Sequence, residues 1–341
     1  MENLILSSGL RSASRPIRLA VLSAAIALSS LCGCSGRATE TIAVIPETEG
    51  TLVWEAAHVG AEEAVQNKPA FIYWNAPTRE DDVEAQIAIV ERVVGDDYQG
   101  LVLAPDQALA LMTPVRRALA RGMPTVVIGS ALAMPPGNNL FYILNDNEAG
   151  GRIAAQRVGE MLHGSGTVAI LGINPDLTGI MTRARVFESA LARQYPQIRV
   201  VEKRLGSFNV PHEQQVAQDT INLHPDLDVI VAMSGPSVDG TLSVLDALPP
   251  GHTIRVIGFD VDTWPLFNNN PSLNCVIQQD TRTMGRLAVE LILHKLAGQP
   301  VPAETLIPPA VITRENLNSP QVQQMWSQDW TLGRIQWSPI R

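Results

Sequence analysis

The sequence predicts an α/β protein built as two similar lobes, each a parallel sheet covered by helices. Three observations carry this expectation. From residue 41 onwards, short β-rich apolar runs alternate with segments of 3.6-residue periodicity. The alternation breaks at FYILNDN (141–147) and then restarts, so there are two series. Within runs such as TVVIG (125–129) and LDVIVAM (227–233) the hydrophobicity is continuous rather than alternating, which marks strands covered on both faces.

The first series reads TIAVI (41–45), AFIYW (70–74), LVLAP (101–105) and TVVIG (125–129). Helical stretches separate them, among them VWEAAHVGAEEAVQ (53–66) and ALALMTPVRRALARG (108–122). After FYILNDN comes a helix from about 148, then TVAILG (167–172), IRVVEK (198–203), LDVIVAM (227–233) and IRVIG (254–258), each pair bridged by a helix. LNCVIQQ (273–279) is a further strand-like run, in which Cys275 reads as a buried, inert thiol. No heptads, low-complexity tract or exact repeat interrupts this order. The segment 317–341 is polar, carries Trp326, Trp330 and Trp337, and is not placed by periodicity.

The N-terminus is of another kind and is set apart from the fold. Arg11, Arg15 and Arg18 precede an apolar stretch from Leu19 to Leu31, the length of a signal-peptide core and too short to span a bilayer comfortably. Leu31-Cys32-Gly33-Cys34 then resembles the bacterial lipoprotein signal, with residues 1–33 removed and Cys34 acylated; an ordinary secreted signal with two incidental cysteines is the alternative. Acyl chains contribute about 0.8 kcal/mol per buried CH₂, so such a Cys34 would hold the protein at a membrane surface, in the periplasm or at the cell surface, by its lipid alone. Only Cys275 would then remain, so no internal disulfide is available and stability must rest on the core.

Composition narrows the function classes. The 341 residues, 45% hydrophobic and 17% charged, suffice for two domains with large cores. A formal charge of −9, with no basic run, argues against a nucleic-acid surface and against docking on anionic lipid. The six histidines, at 58, 163, 212, 224, 252 and 294, show no metal-ligand spacing, so neither a metal nor a cofactor is expected. There is no GxxxxGK[ST] loop and no GxSxG elbow, and GSGTVAILG precedes a strand where a phosphate loop would follow one. An enzyme is not expected. Asp260 and Asp262 form the one acid pair that acid–base work could use, and binding is the simpler use for them.

IRVIGFDVD (254–262) places Asp260 just beyond a buried strand. In open parallel sheets, ligands bind beyond the carboxyl ends of the strands, so this carboxylate would point out of the sheet toward a ligand; a helix cap or a solvated loop acid is the alternative.

Six segments in order give a more specific pointer: IAVIPETEGTLVWEAAHVGAEEA, YQGLVLAPDQALAL, LNDNEAGGRIAAQRVGEML, the Arg183 and Phe187 segment MTRARVF, VIGFD, and VIQQDTRTMGRLAVELILHKLAGQPVP. Over residues 41–316 the chain resembles the type I periplasmic sugar-binding proteins of ABC transporters, the ribose-binding group, whose core is shared with the LacI-type repressors. The resemblance implies two Rossmann-like lobes joined by three crossings, near Asn145–Asn147, Gln279–Thr281 and Ile307–Pro309. The lobes would then comprise 41–145 with 280–308, and 146–279 with 309–316, leaving 317–341 as a tail of unknown role.

Carried over residue by residue, the resemblance assigns Trp54 to stacking on a sugar ring and Phe208 to its other face. It assigns Arg183 to donation toward sugar oxygens, Asp260 to acceptance from two hydroxyls, and Gln279 and Asn145 to polar contacts at the crossings. A core tryptophan, an exposed helix arginine and a packed phenylalanine are the plain alternatives. Thr51 and Ser234 stand where the group has asparagines, and Gly129-Ser130 where it has an Asp-Arg pair. Three ligand-directed groups are thus smaller, which argues against ribose and for another or larger sugar, polyol or furanoside.

The resemblance implies a monomeric extracytoplasmic protein that clamps a sugar-like molecule and delivers it to an ABC transporter permease. A lipid-anchored sensor presenting ligand to a membrane receptor kinase is the alternative. A repressor would need a helix-turn-helix before the first strand, where an export segment stands instead.

Overall fold

The computed structural model describes residues 39–326 except 80, 138, 250, 262–266, 268 and 269. The signal segment 1–33, Cys34, Asp262, Trp330 and Trp337 lie outside the described residues.

The first series of elements is β1 (Glu40–Ile45), α1 (Leu52–Val65), β2 (Ala70–Trp74), α2 (Val83–Gly95), β3 (Gly100–Leu103), α3 (Met112–Ala120), β4 (Thr125–Gly129) and β5 (Leu140–Asn145). The second is α4 (Asn147–Met161), β6 (Ser165–Ile173), α5 (Thr178–Gln194), β7 (Gln197–Leu205), α6 (Val210–Leu223), β8 (Val229–Ala232), α7 (Gly235–Ala247), β9 (Arg255–Phe259) and β10 (Leu273–Gln278). The last described elements are α8 (Thr281–Leu296), β11 (Glu304–Ile307), β12 (Ala310–Ile312) and α9 (Pro320–Trp326).

The strands sort into two six-stranded sheets, ordered β11-β5-β4-β3-β1-β2 and β12-β10-β9-β8-β6-β7. Every pairing is parallel except β12 on β10, where Val276 lies opposite Ile312. The continuous apolar runs are explained by the two faces. In the first sheet Val44, Val102 and Val126 pack against α1 and α8, while Ala43, Leu101 and Val127 point the other way onto α2 and α3. In the second sheet Leu171, Ile230 and Val256 meet α6 and α7, and Ile170, Val231 and Ile257 meet α4 and α5. Each such valine, leucine or isoleucine, fully buried, contributes about 1.5–3 kcal/mol.

Among the described residues the chain passes between the sheets three times: from β5 into α4, from β10 into α8, and from β11 into β12. The first two crossings end in helix caps. Asp146 accepts from the Ala149 N–H at 2.8 Å and Asp280 from the Thr283 N–H at 3.0 Å, so each incoming helix starts at a defined residue. Helices α1 and α8 cross backbone to backbone at Gly60 and Gly285: a methyl group on either would overlap the carbonyl oxygen of Arg282 or Ala57.

Two local findings differ from the sequence reading. The stretch 108–122 is helical only from Met112 to Ala120. A helix begun earlier would need a Pro114 N–H to bond the carbonyl of residue 110, and proline has none; starting at Met112 puts Pro114 in the first turn, where no bond is required. The polar tail also has a place. Leu317 and Val322 are buried in the second lobe's core, while Gln324 O of α9 accepts from Arg282 Nη1 of α8 at 3.0 Å, so this segment ties the two lobes together on the hinge side. Cys275 is fully buried in β10, and burial pushes its thiol up to about 11.

Candidate functional site

The carboxyl ends of both sheets face one another across a cleft, and the cleft is closed. Phe208 N donates to Asp81 Oδ2 at 3.2 Å, Ala108 N to Asp176 O at 3.2 Å, and Thr178 Oγ1 to Ala131 O at 3.2 Å, each bond running from one lobe to the other. Behind them lies a cavity of about 550 Å³, its mouth included.

All nine residues expected to meet ligand line this cavity. Thr51 and Trp54 come from the start of α1, where the Thr51 hydroxyl caps the helix by accepting from Trp54 N at 3.4 Å. Trp54 is 3% exposed: it belongs to the first lobe's core and presents its remaining edge to the cavity, beside Gly129. Gly129 ends β4 with φ +75°, and Ser130 follows it. Asn145 ends β5, and Gln279 directly follows β10. From the second lobe come Arg183 on α5, Phe208 after β7, Ser234 after β8 and Asp260 after β9.

The centre of the site is an ion pair. Arg183 Nη1 donates to Asp260 Oδ2 at 2.6 Å and to Met233 O at 3.4 Å, and its Nε donates to Asn147 Oδ1 at 3.0 Å. Its guanidinium lies 4.7 Å from the centre of the Phe259 ring, a cation–π contact. The other oxygen of Asp260 accepts from Gln279 N at 3.0 Å. Asp260 sits at φ +52°, a left-handed conformation that costs a non-glycine residue about 1–2 kcal/mol, and the carboxylate's two bonds hold it there. Arg183 is therefore no exposed helix arginine: it is 5% exposed.

A second network bridges the lobes at the crossings. Asn145 Nδ2 donates to Gln279 Oε1, joining the end of β5 to the residue after β10. Asn145 Oδ1 is buried and has no donor in reach.

At the mouth, two more buried acids adjoin the Asp81 bridge. Burial first, then Asp81 and Asp82, pushes Asp106 up to about 8. Burial likewise raises Glu213, whose Oε1 accepts from Ser207 N at 2.5 Å. Among the described residues no group of three histidines, cysteines or acids is placed to hold a metal ion.

Sequence reasoning missed several lining residues. Glu47, 9% exposed, lies two residues beyond β1, and so follows its strand's carboxyl end as Asp260 follows β9. Met233 directly follows β8, and Leu177 and Ile180 flank the start of α5. For these apolar residues, only the rule that ligands meet strand and helix ends could have served as a signal.

Comparison with known proteins gives a consistent result. A family model described as periplasmic binding protein domain matches residues 42–300. The ribose import binding protein RbsB of Bacillus subtilis (strain 168) is 27% identical over 219 residues, which are 63% of this chain and 70% of that one. The protein of the same name from Escherichia coli (strain K12) is 24% identical over 296 residues, 84% of this chain and 95% of the other. Among solved structures, an ABC transporter solute-binding protein from Agrobacterium vitis bound with α-D-tagatopyranose superposes with a TM-score of 0.77 at 23% identity, covering 84% of this chain and 98% of its own; at that identity the match speaks for the fold alone. Two doubly covered sheets, three crossings and a cleft between facing strand ends are the architecture of the type I group, and the chain belongs to the periplasmic binding protein family.

Proposed function

We propose that this protein is an extracytoplasmic solute-binding protein that closes around a sugar or sugar-like molecule and presents it to an ABC transporter permease, held at the membrane by an acylated Cys34. One observation carries the reading: residues from both lobes and from separate strand ends converge on one closed cavity, with a buried guanidinium–carboxylate pair at its centre.

Each group has a task that its chemistry suits. Asp260, already fixed by Arg183 and Gln279 N, keeps lone pairs for ligand hydroxyls, and charged acceptors make the stronger hydrogen bonds. Arg183 offers the donors its present bonds leave over. Trp54 and Phe208 supply apolar surface for C–H faces, with the polar groups fixing orientation. Thr51, Ser130, Ser234, Asn145 and Gln279 complete the polar lining. The half-sites are joined only in the closed form, so ligand that touches both shifts the population toward closure.

The relatives bear on the ligand class. They include ribose import proteins, a xylitol-binding protein of Mycolicibacterium smegmatis and a D-apiose import binding protein of Paraburkholderia graminis. Small side chains at Gly129, Ser130 and Ser234 favour a ligand other than ribose, since a site shaped for particular hydroxyls discriminates strongly. Thermal shift of the full chain in detergent against pentoses, hexoses, polyols and nucleosides tests the reading. A ligand at 1,000 times its dissociation constant adds about 4 kcal/mol, a rise of several degrees for a chain of this size. A selective rise with one class of polyhydroxy compound is expected; no rise with any compound overturns the reading.

A further inference from the structure

Closing the cleft sets two carboxylates of different lobes side by side on one loop. Asp81 of the first lobe accepts from Phe208 N at 3.2 Å, and Glu213 of α6 in the second accepts from Ser207 N at 2.5 Å, so the pair occupies consecutive N–H groups. Phe208 itself lines the cavity, which ties this loop to the ligand. Glu213 is 1% exposed, and its Oε2 is buried with no hydrogen-bond partner. The ionisable groups that face it are His212, exposed on the same helix, and Asp81 across the cleft. Burial raises the Glu213 carboxyl; the Ser207 N–H, the nearby Ser237 hydroxyl and His212 pull it back, and Asp81 raises it further. Behind Asp81 stand Asp82, paired with Arg79 at 3.2 Å, and Asp106, 4% exposed, so the first lobe's side is crowded with acids. Like charges that share a buried site repel strongly, which favours a proton on one of them. When the lobes part, Asp81 leaves the loop, water reaches Glu213, and its carboxyl returns toward the ordinary value.

We infer that closure of the clamp takes up a proton at the Asp81–Glu213 pair, so that the protein holds its ligand more tightly as the pH falls and lets go more readily as it rises. The proton belongs to the pair, with Glu213 its better shielded seat. A ligand that favours closure draws the proton in, and by linkage the proton favours the ligand by the same factor. Affinity is therefore full below the open-form pKa of Glu213, falls as pH rises above its ordinary 4.5, and levels off once the closed form is ionised as well. This rests on the clamp reading above.

The test is calorimetry on the full chain in detergent with D-ribose, D-xylose, D-galactose, D-allose and xylitol, none of which titrates between pH 5 and 8. Each is run across that range in buffers of high and low ionisation enthalpy, which counts the protons taken up. For every compound that binds, uptake of a fraction of a proton is expected near pH 6. The dissociation constant should be about threefold or more higher at pH 8 than at pH 5, a full proton giving about tenfold per pH unit. Glu213→Gln imitates the protonated acid and keeps an acceptor for Ser207 N, so its affinity should stay within about twofold over the range and exceed the parent's at pH 8. Asp81→Asn still accepts from Phe208 N, tolerates the φ of +63°, and should reduce the uptake. A parent whose affinity is flat from pH 5 to 8, with no proton taken up, would overturn this inference and leave the clamp standing, as would an uptake undiminished in Glu213→Gln. If none of the five compounds binds at any pH in the range, the clamp reading and the inference fall together.

Discussion

Replacing Asp260 probes the centre of the site on two scales at once. In Asp260→Asn the side chain keeps its shape, and asparagine tolerates the residue's φ of +52°. What is lost is the charge that meets Arg183 Nη1 at 2.6 Å. Breaking a buried pair by removing one partner costs about 3–5 kcal/mol. The Asp260 side chain is 12% exposed and Arg183 keeps Asn147 and Met233 O, so the lower end, about 3 kcal/mol of folding stability, is the expected loss. Asp260→Ala should cost about 1–2 kcal/mol more, because alanine at this backbone angle adds strain and the Gln279 N–H loses its acceptor. Ligand affinity should fall separately. A charged acceptor is worth about 1.5–3 kcal/mol to the hydroxyls it meets, which corresponds to roughly 10–150-fold in dissociation constant. Urea unfolding of the ligand-free variants reads the first quantity and calorimetry with the ligand found by thermal shift reads the second. Stability within 0.5 kcal/mol and affinity within about twofold of the parent for Asp260→Ala would refute the reasoning.

Three further outcomes follow from other parts of the molecule. Asp106 is raised to about 8, so between its unfolded value near 3.8 and about 8 the folded chain binds a proton that the unfolded chain has released. Stability should therefore fall as pH rises through that window and level off above it, by at most about 6 kcal/mol; Asp106→Asn should flatten the curve between pH 5 and 8, and an unchanged curve in a urea series would count against the buried acid. Gly285→Ala drives a methyl group into Ala57 O and should lower stability by about 1–3 kcal/mol as α1 and α8 separate, read as a shifted urea midpoint; an unshifted midpoint would mean the helices do not cross so closely. Val322→Asp places an unpaired charge in the second lobe's core under α9 and should cost about 3 kcal/mol or more, whereas the exposed neighbour Gln321→Asp should cost under about 0.5 kcal/mol; equal effects in thermal melts would argue against the packed tail.

The contrast between legible and hidden features is physical. Runs such as TVVIG and LDVIVAM stood out because both faces of their strands are covered, so hydrophobicity is unbroken. Strands β11 and β12 were not marked: four and three residues long, at the sheet edges and half-exposed, they lack a continuous apolar run. Of the cavity lining, Asp260 could be singled out by its place after a strand, whereas Arg183 and Phe208 drew notice only through the family resemblance, since nothing local separates them from a surface arginine or a packing aromatic. Glu47 obeyed the Asp260 rule but sits in PETEG, where a proline, a glycine and a second glutamate read as an ordinary turn. The tail was silent because Leu317 and Val322 are buried singly among polar residues, leaving no period to detect.

The central claim is that ligand and closure are one event, and small-angle scattering tests it most directly. The full chain in detergent would be measured alone and with a saturating concentration of the ligand that thermal shift selects. The cross-lobe bonds at Asp81, Ala108 and Ala131 belong to the closed form, so the radius of gyration should fall on ligand addition and the scattering with ligand should match this closed structure. An identical radius of gyration with and without saturating ligand would contradict the clamp.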